Sequence, residues 1–530
     1  MRRADIGTPW RRARRTCALL GAAAAAWSRG TAAEPAPRRP DAHGSFVDAA
    51  GRTQPFGATY DAWFGAARRP PHRLRAVTEI AILYALGFAY YVVDPLSNSR
   101  DFYNPSFANK LTFRELQFDA DLNTTNHLLH PIAGALSYNL ARNNGLGVAE
   151  SFAYSFVPSF IEAWLLEFHN RSSINDMIFT PSGGAPLGEF FFRLGDYLDS
   201  ARGHETPTQK LLASTLGIFR RAHAAVDHEP PPPPAPRDSL GYTTAYWHEF
   251  ALAYRPTMVQ NDLGASGVLH DLIVQGELIA IPGHLRPGRF ATTFFNGNFT
   301  DLRAHLALGP EGLDEAGLWS SATWLGHYAQ AFEPSGRGVR GAATMIGIGS
   351  ALEFGARSTL NRRDQVSVAH LIGPMSNIWL SHGDLTARFT ADVHVDFAGI
   401  RSLAYEAWQA RYGSRGLKTI LPIQGYTFDA GISARARVRV DYRGFELVGY
   451  ASFGAYGSIE GHDRQQESVT LDLHGTEQVF TLDALLGYQP VGMPFFGRLG
   501  ASQIWRASTF GPFVERRWDR GLSLTAGLRF

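Results

Sequence analysis

The stretch Leu385-Thr386-Ala387-Arg388-Phe389-Thr390-Ala391-Asp392-Val393-His394-Val395-Asp396-Phe397 decides the fold class. Its odd positions are all apolar and its even positions all polar or charged. A strict period of two puts the two sets on opposite faces of a β-strand. The run exceeds the roughly 5–6 residues of an ordinary strand and matches the roughly 9–11 of a tilted membrane-spanning one. Ile432, Ala434, Ala436, Val438, Val440 and Tyr442 likewise alternate with Ser433, Arg435, Arg437, Arg439 and Asp441. Arg443-Gly444 then reads as a tight hairpin turn into 445–453. A soluble sandwich also alternates, but long strands with charges crowded on one face predict a wet lumen and a lipid-facing wall. Over residues 240–530 this gives an antiparallel transmembrane β-barrel of about 12 strands.

The chain closes with Leu522, Leu524, Ala526, Leu528 and Phe530 on one face. A terminal amphipathic strand ending in phenylalanine resembles the assembly signal of bacterial outer-membrane barrels. That resemblance implies the barrel-assembly machinery as a partner in biogenesis and outer-membrane lipid as the surrounding medium.

Of the 530 residues, 45% are hydrophobic and 18% charged, the latter below the quarter usual in soluble domains. No stretch supplies the charge-free run of roughly 20 apolar residues that a lone membrane helix needs. Residues 1–33 read as an export signal. Arg2, Arg3, Arg11, Arg12, Arg14 and Arg15 precede an apolar core from Cys17 to Trp27, and Thr31-Ala32-Ala33 offers a cleavage site. Twin-arginine export and a mitochondrial transit peptide are the alternatives. Cys17 is the sole cysteine, so the mature chain is expected to hold no disulfide and no thiol nucleophile. Cleavage after Ala33 removes seven arginines and one aspartate and moves the formal charge from +2 to −4. No global argument for nucleic-acid binding survives that change.

Residues 34–70, rich in Pro, Ala, Arg and Gly, are an expected extended lead-in. From 71 to 228 the apolar period is helical. The first helix covers 75–93, apolar on nearly all sides and ended by Asp94-Pro95. Others are expected at 127–142, 148–169, 187–201 and 208–226. Thr180-Pro181-Ser182-Gly183-Gly184 is expected to turn the chain before the helix at Leu187. Pro230 to Pro234, with Pro236, form a stiff linker over 229–239. The class is therefore α+β, a small N-terminal helical domain followed by the barrel. An inner-membrane reading, with spans at 75–93 and 146–168, is opposed by Glu150, Pro158 and Glu162 in the second.

The helical block carries an ordered set of polar residues and glycines. It runs Phe118-Asp119-Ala120-Asp121, Asn126-His127-Leu128-Leu129-His130-Pro131, Gly134, Tyr138, Ala141-Arg142, Gly145 and Glu150-Ser151. It continues with Glu162, Glu167, Ser173-Ile174-Asn175-Asp176, Thr180, Gly183-Gly184 and Gly188-Glu189. This order resembles a bacterial family catalogued as domain of unknown function 3943, with Ala120 where a glycine is expected. The resemblance implies an envelope protein and brings no established activity.

His127 and His130, three apart, share a face if helical. His130 with Glu162 or Glu167 is the candidate for general acid–base catalysis. Asn126, His127, Asp176 and Glu189 are candidates for a ligand-binding or purely structural polar network. The spacing lacks a His-x-x-x-His pair, and the sequence names neither a metal nor a cofactor. Ser151, Ser155 and Ser159 line one helix stripe and suit close helix packing better than nucleophilic chemistry. In the barrel, Arg388, Asp392, His394, Arg435, Arg437 and Arg439 should point inward, pairing to close the lumen or meeting an anionic solute. The expected role is an outer-membrane barrel with a periplasmic or plug-like helical domain, serving envelope structure or passage of a small solute or lipid. An envelope hydrolase or lipid-modifying enzyme is the alternative. The small-molecule ligand is not specified.

Overall fold

The computed structural model describes residues 43–530 except 49, 65–69, 94–108, 111, 113–115, 120, 167–170, 233–235, 310–311, 337, 414–420, 422–423 and 460–473. The export signal, Ala120, Glu167 and two prolines of the linker lie outside the described residues.

The hairpin β1 (His43–Val47) and β2 (Thr53–Pro55) leads into α1 (Phe56–Phe64). The helical block follows, with α2 (Arg73–Val93), β3 (Leu116–Gln117), α3 (His130–Asn143), α4 (Val148–Ile161), β4 (Ser172–Ser173), α5 (Ile174–Asp199), α6 (Pro207–Thr215) and α7 (Ile218–Val226). Among the described residues no helix is long and apolar enough to cross a membrane. The sheet comprises β5 (Trp247–Asn261), β6 (Ser266–Ile279), β7 (Gly288–Phe294), β8 (Phe299–Gly309), β9 (Gly312–Ser335), β10 (Gly338–Thr359), β11 (Arg362–Gly383) and β12 (Leu385–Arg401). After α8 (Leu403–Tyr412) come β13 (Tyr426–Tyr442), β14 (Phe445–Ser458), β15 (Gly475–Tyr488), β16 (Phe495–Phe510) and β17 (Phe513–Arg529).

β17 pairs with β5, β6 with β8, and β9 with both β8 and β10, which closes an antiparallel barrel of 12 strands. Closure pairs each of these twelve strands on both sides, the condition for a barrel wall to sit in lipid. Followed round the barrel through its partners, Gly341 leads back to Arg357 on the same strand. That shear tilts the strands strongly. Arg443 and Gly444 both have positive φ, 49° and 85°, the twist-matched hairpin geometry that Gly favours. Short turns at 335–338, 383–385 and 442–445 lie at one end, with the β6–β8 connection that carries β7, and the two longest connections, 401–426 and 458–475, lie at the other beside the short turns 359–362 and 510–513. By the asymmetry of outer-membrane barrels, the turn end faces the periplasm.

Residues 43–64 are no loose lead-in. β7 and β8 lie one after the other along β9, but β6 reaches only β8. The edge of β7 left open is covered by β1 and then β2, as an unpaired edge requires. Phe46, Phe56, Tyr60 and Phe64 are buried there, and Phe56 stacks on Phe290 at 4.2 Å. Isolated aromatics among Pro and Gly gave no periodic signal.

The turn expected at 180–184 is also corrected. α5 runs straight through it, with Pro181 and Pro186 inside the helix. The glycines serve packing rather than reversal. A Cβ on Gly184 would stand 2.5 Å from Gly134 C, one on Gly188 2.8 Å from Ala135 O, and one on Gly183 3.0 Å from Leu352. Tertiary contact overrides weak helix propensity here. Conversely, the single helix expected over 208–226 is divided into α6 and α7 at Leu216-Gly217.

The helical block is seated on the outer wall of the barrel, not inside it or beneath it. Asp396, His394 and Arg435 face the lumen, so Phe397 and Gly399 face outward. Phe118 and Phe179 pack on Phe397 and Phe428. Ala135 and Leu187 pack on Leu352, and Phe190 reaches Gly276. The lumen lining contains no residue of the block. The reason is chemical. The inner face is charged and its turn end is already filled, whereas the outer face is apolar and can bury an apolar helix.

Candidate functional site

Polar side chains stand where burial makes them costly in the barrel interior, in the seam beneath the helical block, and between α5 and α7, where the buried Arg220 meets Asp199 at 3.2 Å. The interior encloses a cavity of about 570 Å³ lined by all twelve barrel strands. All six inward candidates from the sequence face this interior. Arg388 donates to Glu277 and to Asn377 Oδ1 at 3.0 Å, and its guanidinium lies 5.1 Å from the Trp379 ring. Arg435 stacks 3.4 Å over Trp319 and reaches Asp392 at 3.4 Å. His394 meets Asp392 at 3.1 Å. Arg439 pairs with Glu249 at 2.7 Å and Glu446 at 2.9 Å. Arg437 differs: among the described residues it has no hydrogen-bonding or ion-pairing partner, although it lines the cavity near Arg303, Arg388 and Arg439.

Both ends of the barrel are built up. At the turn end, segment 280–287 folds inward and His284 packs among Trp247, Phe299, Tyr328 and Trp379. Gln330 fixes this stopper, accepting from Leu285 N at 3.0 Å and donating to Arg286 O at 2.8 Å. At the loop end α8 buries Tyr405 and Trp408 against Phe510, and Ser508 Oγ accepts from Ala404 N at 2.9 Å. Sequence reading missed the stopper, because Gly283 and Pro287 look like an ordinary loop.

At the seam, Glu189 is fully buried. It accepts from Tyr138 Oη and Arg142 Nε, both at 2.8 Å, and from Arg193 Nε at 2.8 Å. Arg193 also donates to Asn296 O on the barrel. Nearer the loop end, Asp119 accepts from Asn126 Nδ2 at 2.7 Å and Ser173 Oγ at 2.7 Å, and its N–H donates to Asn175. Tyr426 Oη on the barrel accepts from Asn126 at 3.0 Å and donates to Asp121 O at 2.8 Å. These bonds clasp the 116–121 segment, the start of α5 and the barrel wall together. His127 packs edge-on to Phe179 at 4.4 Å, and burial pushes it down to about 3, so it is neutral.

His130 Nε2 lies 3.4 Å from Asp176 Oδ1. Burial lowers the His130 pKa, against the pull of the Asp119 charge. Glu162 instead faces α2 beside Gly87. Among the described residues no cluster has the ligand set for a metal ion. The serine stripe meets neighbouring backbone, with Ser155 Oγ donating to Gly134 O at 3.0 Å and Ser159 Oγ to Asp176 O at 3.3 Å.

Burial, and then the Asp119 charge, push the Asp121 carboxyl up to about 7 from 3.8. The folded protein therefore binds a proton there that the unfolded chain has lost, and this group's contribution to stability falls as pH rises from about 4 to about 7. Asp121→Asn is expected to remove that part of the pH dependence. Urea midpoints for wild type and variant at pH 5 and pH 8 check it, the wild type losing more between them.

Residues 115–219 match the family model for domain of unknown function DUF3943. No curated protein matches the chain. Among solved structures, the KdgM porin aligns at 10% identity, covering 52% of this chain and 97% of the porin, with a TM-score of 0.19. The β domain of the Bordetella autotransporter BrkA aligns at 14%, covering 54% and 99%, with a TM-score of 0.18. The outer membrane protein opdK of Pseudomonas aeruginosa aligns at 10%, covering 54% and 99%, with a TM-score of 0.17.

Proposed function

We propose that this outer-membrane barrel binds a small anionic solute in its lumen as a step in passage across the outer membrane. The observation that carries this is Arg437, a guanidinium that faces the cavity with no direct hydrogen-bonding or ion-pairing partner among the described residues, beside three further arginines and in the longer-range field of Asp301, Glu249 and Asp483. Elsewhere in the lumen the arginines make direct ion pairs, so the guanidinium donors of Arg437 are where a carboxylate or phosphate gains a charge-assisted hydrogen bond. Calorimetric titration of the purified protein with succinate and with inorganic phosphate tests it. Saturable binding of one of them is expected, weakened by about 10- to 100-fold in Arg437→Gln, the loss of one charged hydrogen bond at about 1.5–3 kcal/mol. Absence of binding to the wild type overturns the reading.

Passage also requires the stopper to yield. Replacing 281–286 by a flexible Gly-Ser segment is expected to raise single-channel conductance in planar bilayers severalfold. Insertion of the barrel's terminal strand by the barrel-assembly machinery belongs to the same proposal. A second reading, acid–base catalysis at the seam, is favoured by the His130–Asp176 contact rather than by a His130–Glu162 pair, with Glu167 a further candidate base. Under it, His130→Ala abolishes an envelope phenotype that Arg437→Gln leaves intact.

A further inference from the structure

α4 is built inside out for a helix in water. Its sequence VAESFAYSFVPSFI buries the serines and exposes the aromatics. Ser151 and Ser155 are 0% exposed, whereas Phe156 is 41% and Val157 51% exposed. The hydrophobic effect in water selects the opposite arrangement. In lipid the preference disappears, and small residues such as serine move to helix contacts because they let backbones approach closely. Phe152, Phe156 and Phe160 form one continuous ladder along α4, with neighbouring centroids 6.4 Å apart, and just past the helix Phe160 stacks on the buried Trp164 at 5.0 Å. Beside it α2 exposes Ile82 at 55% and Leu86 at 66%. The next layer inward is packed through Gly184-x-x-x-Gly188 on α5, whose glycines touch Gly134, Ala135 and Tyr138 of α3.

Three features show what covers this face. First, the block stands on the outward side of the barrel strands. Second, it interrupts the barrel's own apolar belt, which resumes on either side, at Ile346 and Ile348 on β10 and at Leu272 and Val274 on β6, all exposed. A patch set into a lipid-facing belt is continuous with it. Third, the exposed ion pairs of the block lie near its ends, while Glu189, Arg142 and Arg193 are buried in the seam and Glu162 is turned in toward α2 beside Gly87. Arg73–Glu150 and Arg75–Asp227 pair at one end of the helices, and the Asp119, Asp121 and Asp176 group gathers at the other. Between them the outer surface of α4 carries no charge from Ser151 to Ile161.

We infer that the exposed face of α2 and α4 is a lipid-contact surface, covered by the acyl chains of the outer membrane. The helical block thereby extends the barrel's hydrophobic perimeter sideways. It does not span the bilayer as an independent anchor; the barrel holds it in the acyl layer. This inference does not depend on the lumen binding an anion.

The test uses the full chain with its one native cysteine replaced (Cys17→Ser), reconstituted in phosphatidylcholine vesicles. Single cysteines at Phe156, Val157 and Ile82, each labelled with bimane, are compared with one at Leu482 on the bare barrel belt and one at Thr215 on α6. The surface predicts that brominated acyl chains quench bimane at 156, 157 and 82 about as strongly as at 482, and that aqueous iodide quenches it only at 215. Iodide quenching at 156, 157 and 82 comparable to that at 215, without bromine quenching, overturns the inference. A heat-shifted gel band for each variant establishes that the barrel is folded. Because three separate positions report on the same face, loss of one variant to misfolding leaves the other two to decide.

Discussion

Glu189→Ala should release the helical block from the barrel while leaving the barrel closed. The wild-type carboxylate is fully buried and satisfies Arg142, Arg193 and the Tyr138 hydroxyl at once. Removing it strands two buried guanidiniums, and breaking a buried pair this way costs about 3–5 kcal/mol. Arg142 keeps one bond, to Leu146 O at 2.8 Å, and Arg193 keeps Asn296 O, neither of which offsets a charge. Glu189→Gln preserves shape and an acceptor for Tyr138, so its cost should be smaller, about 1–3 kcal/mol. The barrel's backbone ladder does not pass through Glu189. The expected outcome is trypsin sensitivity within 115–219 together with an unchanged heat-shifted band. Loss of both at once would mean that the barrel depends on the block for closure.

Gly134→Val should act at the same seam by a steric route. A Cβ at Gly134 would lie 1.8 Å from Thr180 O and 2.6 Å from Thr180 C. These are backbone atoms of a facing helix and cannot swing aside, so α3 and α5 must part along their whole contact. Overpacking of this kind typically costs about 1–3 kcal/mol, and contact with backbone puts this site at the upper end. Gly147→Ser is the matched control. That residue precedes α4 with nothing within 4 Å of its Cβ position, and serine is a favoured N-cap. Urea unfolding followed by protease protection of the block should show a large loss for the first variant and none for the second.

Much of the barrel was legible because its rule is local. Residues 385–397 and 432–442 alternate without exception, so strand identity, inner face and the turn at Arg443-Gly444 follow from period and turn chemistry alone. The inward placement of Arg388 and Arg435 needs no further information. Their partners do: Arg388 meets Glu277, 111 positions away, and only closure brings those strands into reach. The helical block was less legible for a different reason. Ser151, Ser155 and Ser159 were readable as a packing stripe, but which medium lies on the opposite face is decided by the barrel wall behind. The seam residues were visible as a group, and their pairing was not. His130 could be matched to any nearby acid by spacing, and the fold selects Asp176. Thr180 to Gly184 read as a turn because Pro and Gly usually mean one, yet here their missing atoms make room for α3 and for Leu352.

The helical block lies against the outside of the barrel. Leu352 and Glu353 are neighbours in β10 that point to opposite faces, Leu352 toward Gly183 of α5 and Glu353 into the lumen. Two double-cysteine variants in a Cys17→Ser background, Gly183→Cys with Leu352→Cys and Gly183→Cys with Glu353→Cys, can be treated with a short bifunctional thiol reagent and read by gel mobility after denaturation. The predicted result is a cross-link in the 183/352 variant and none in the 183/353 variant. A cross-link in the 183/353 variant alone would place the helices inside the barrel.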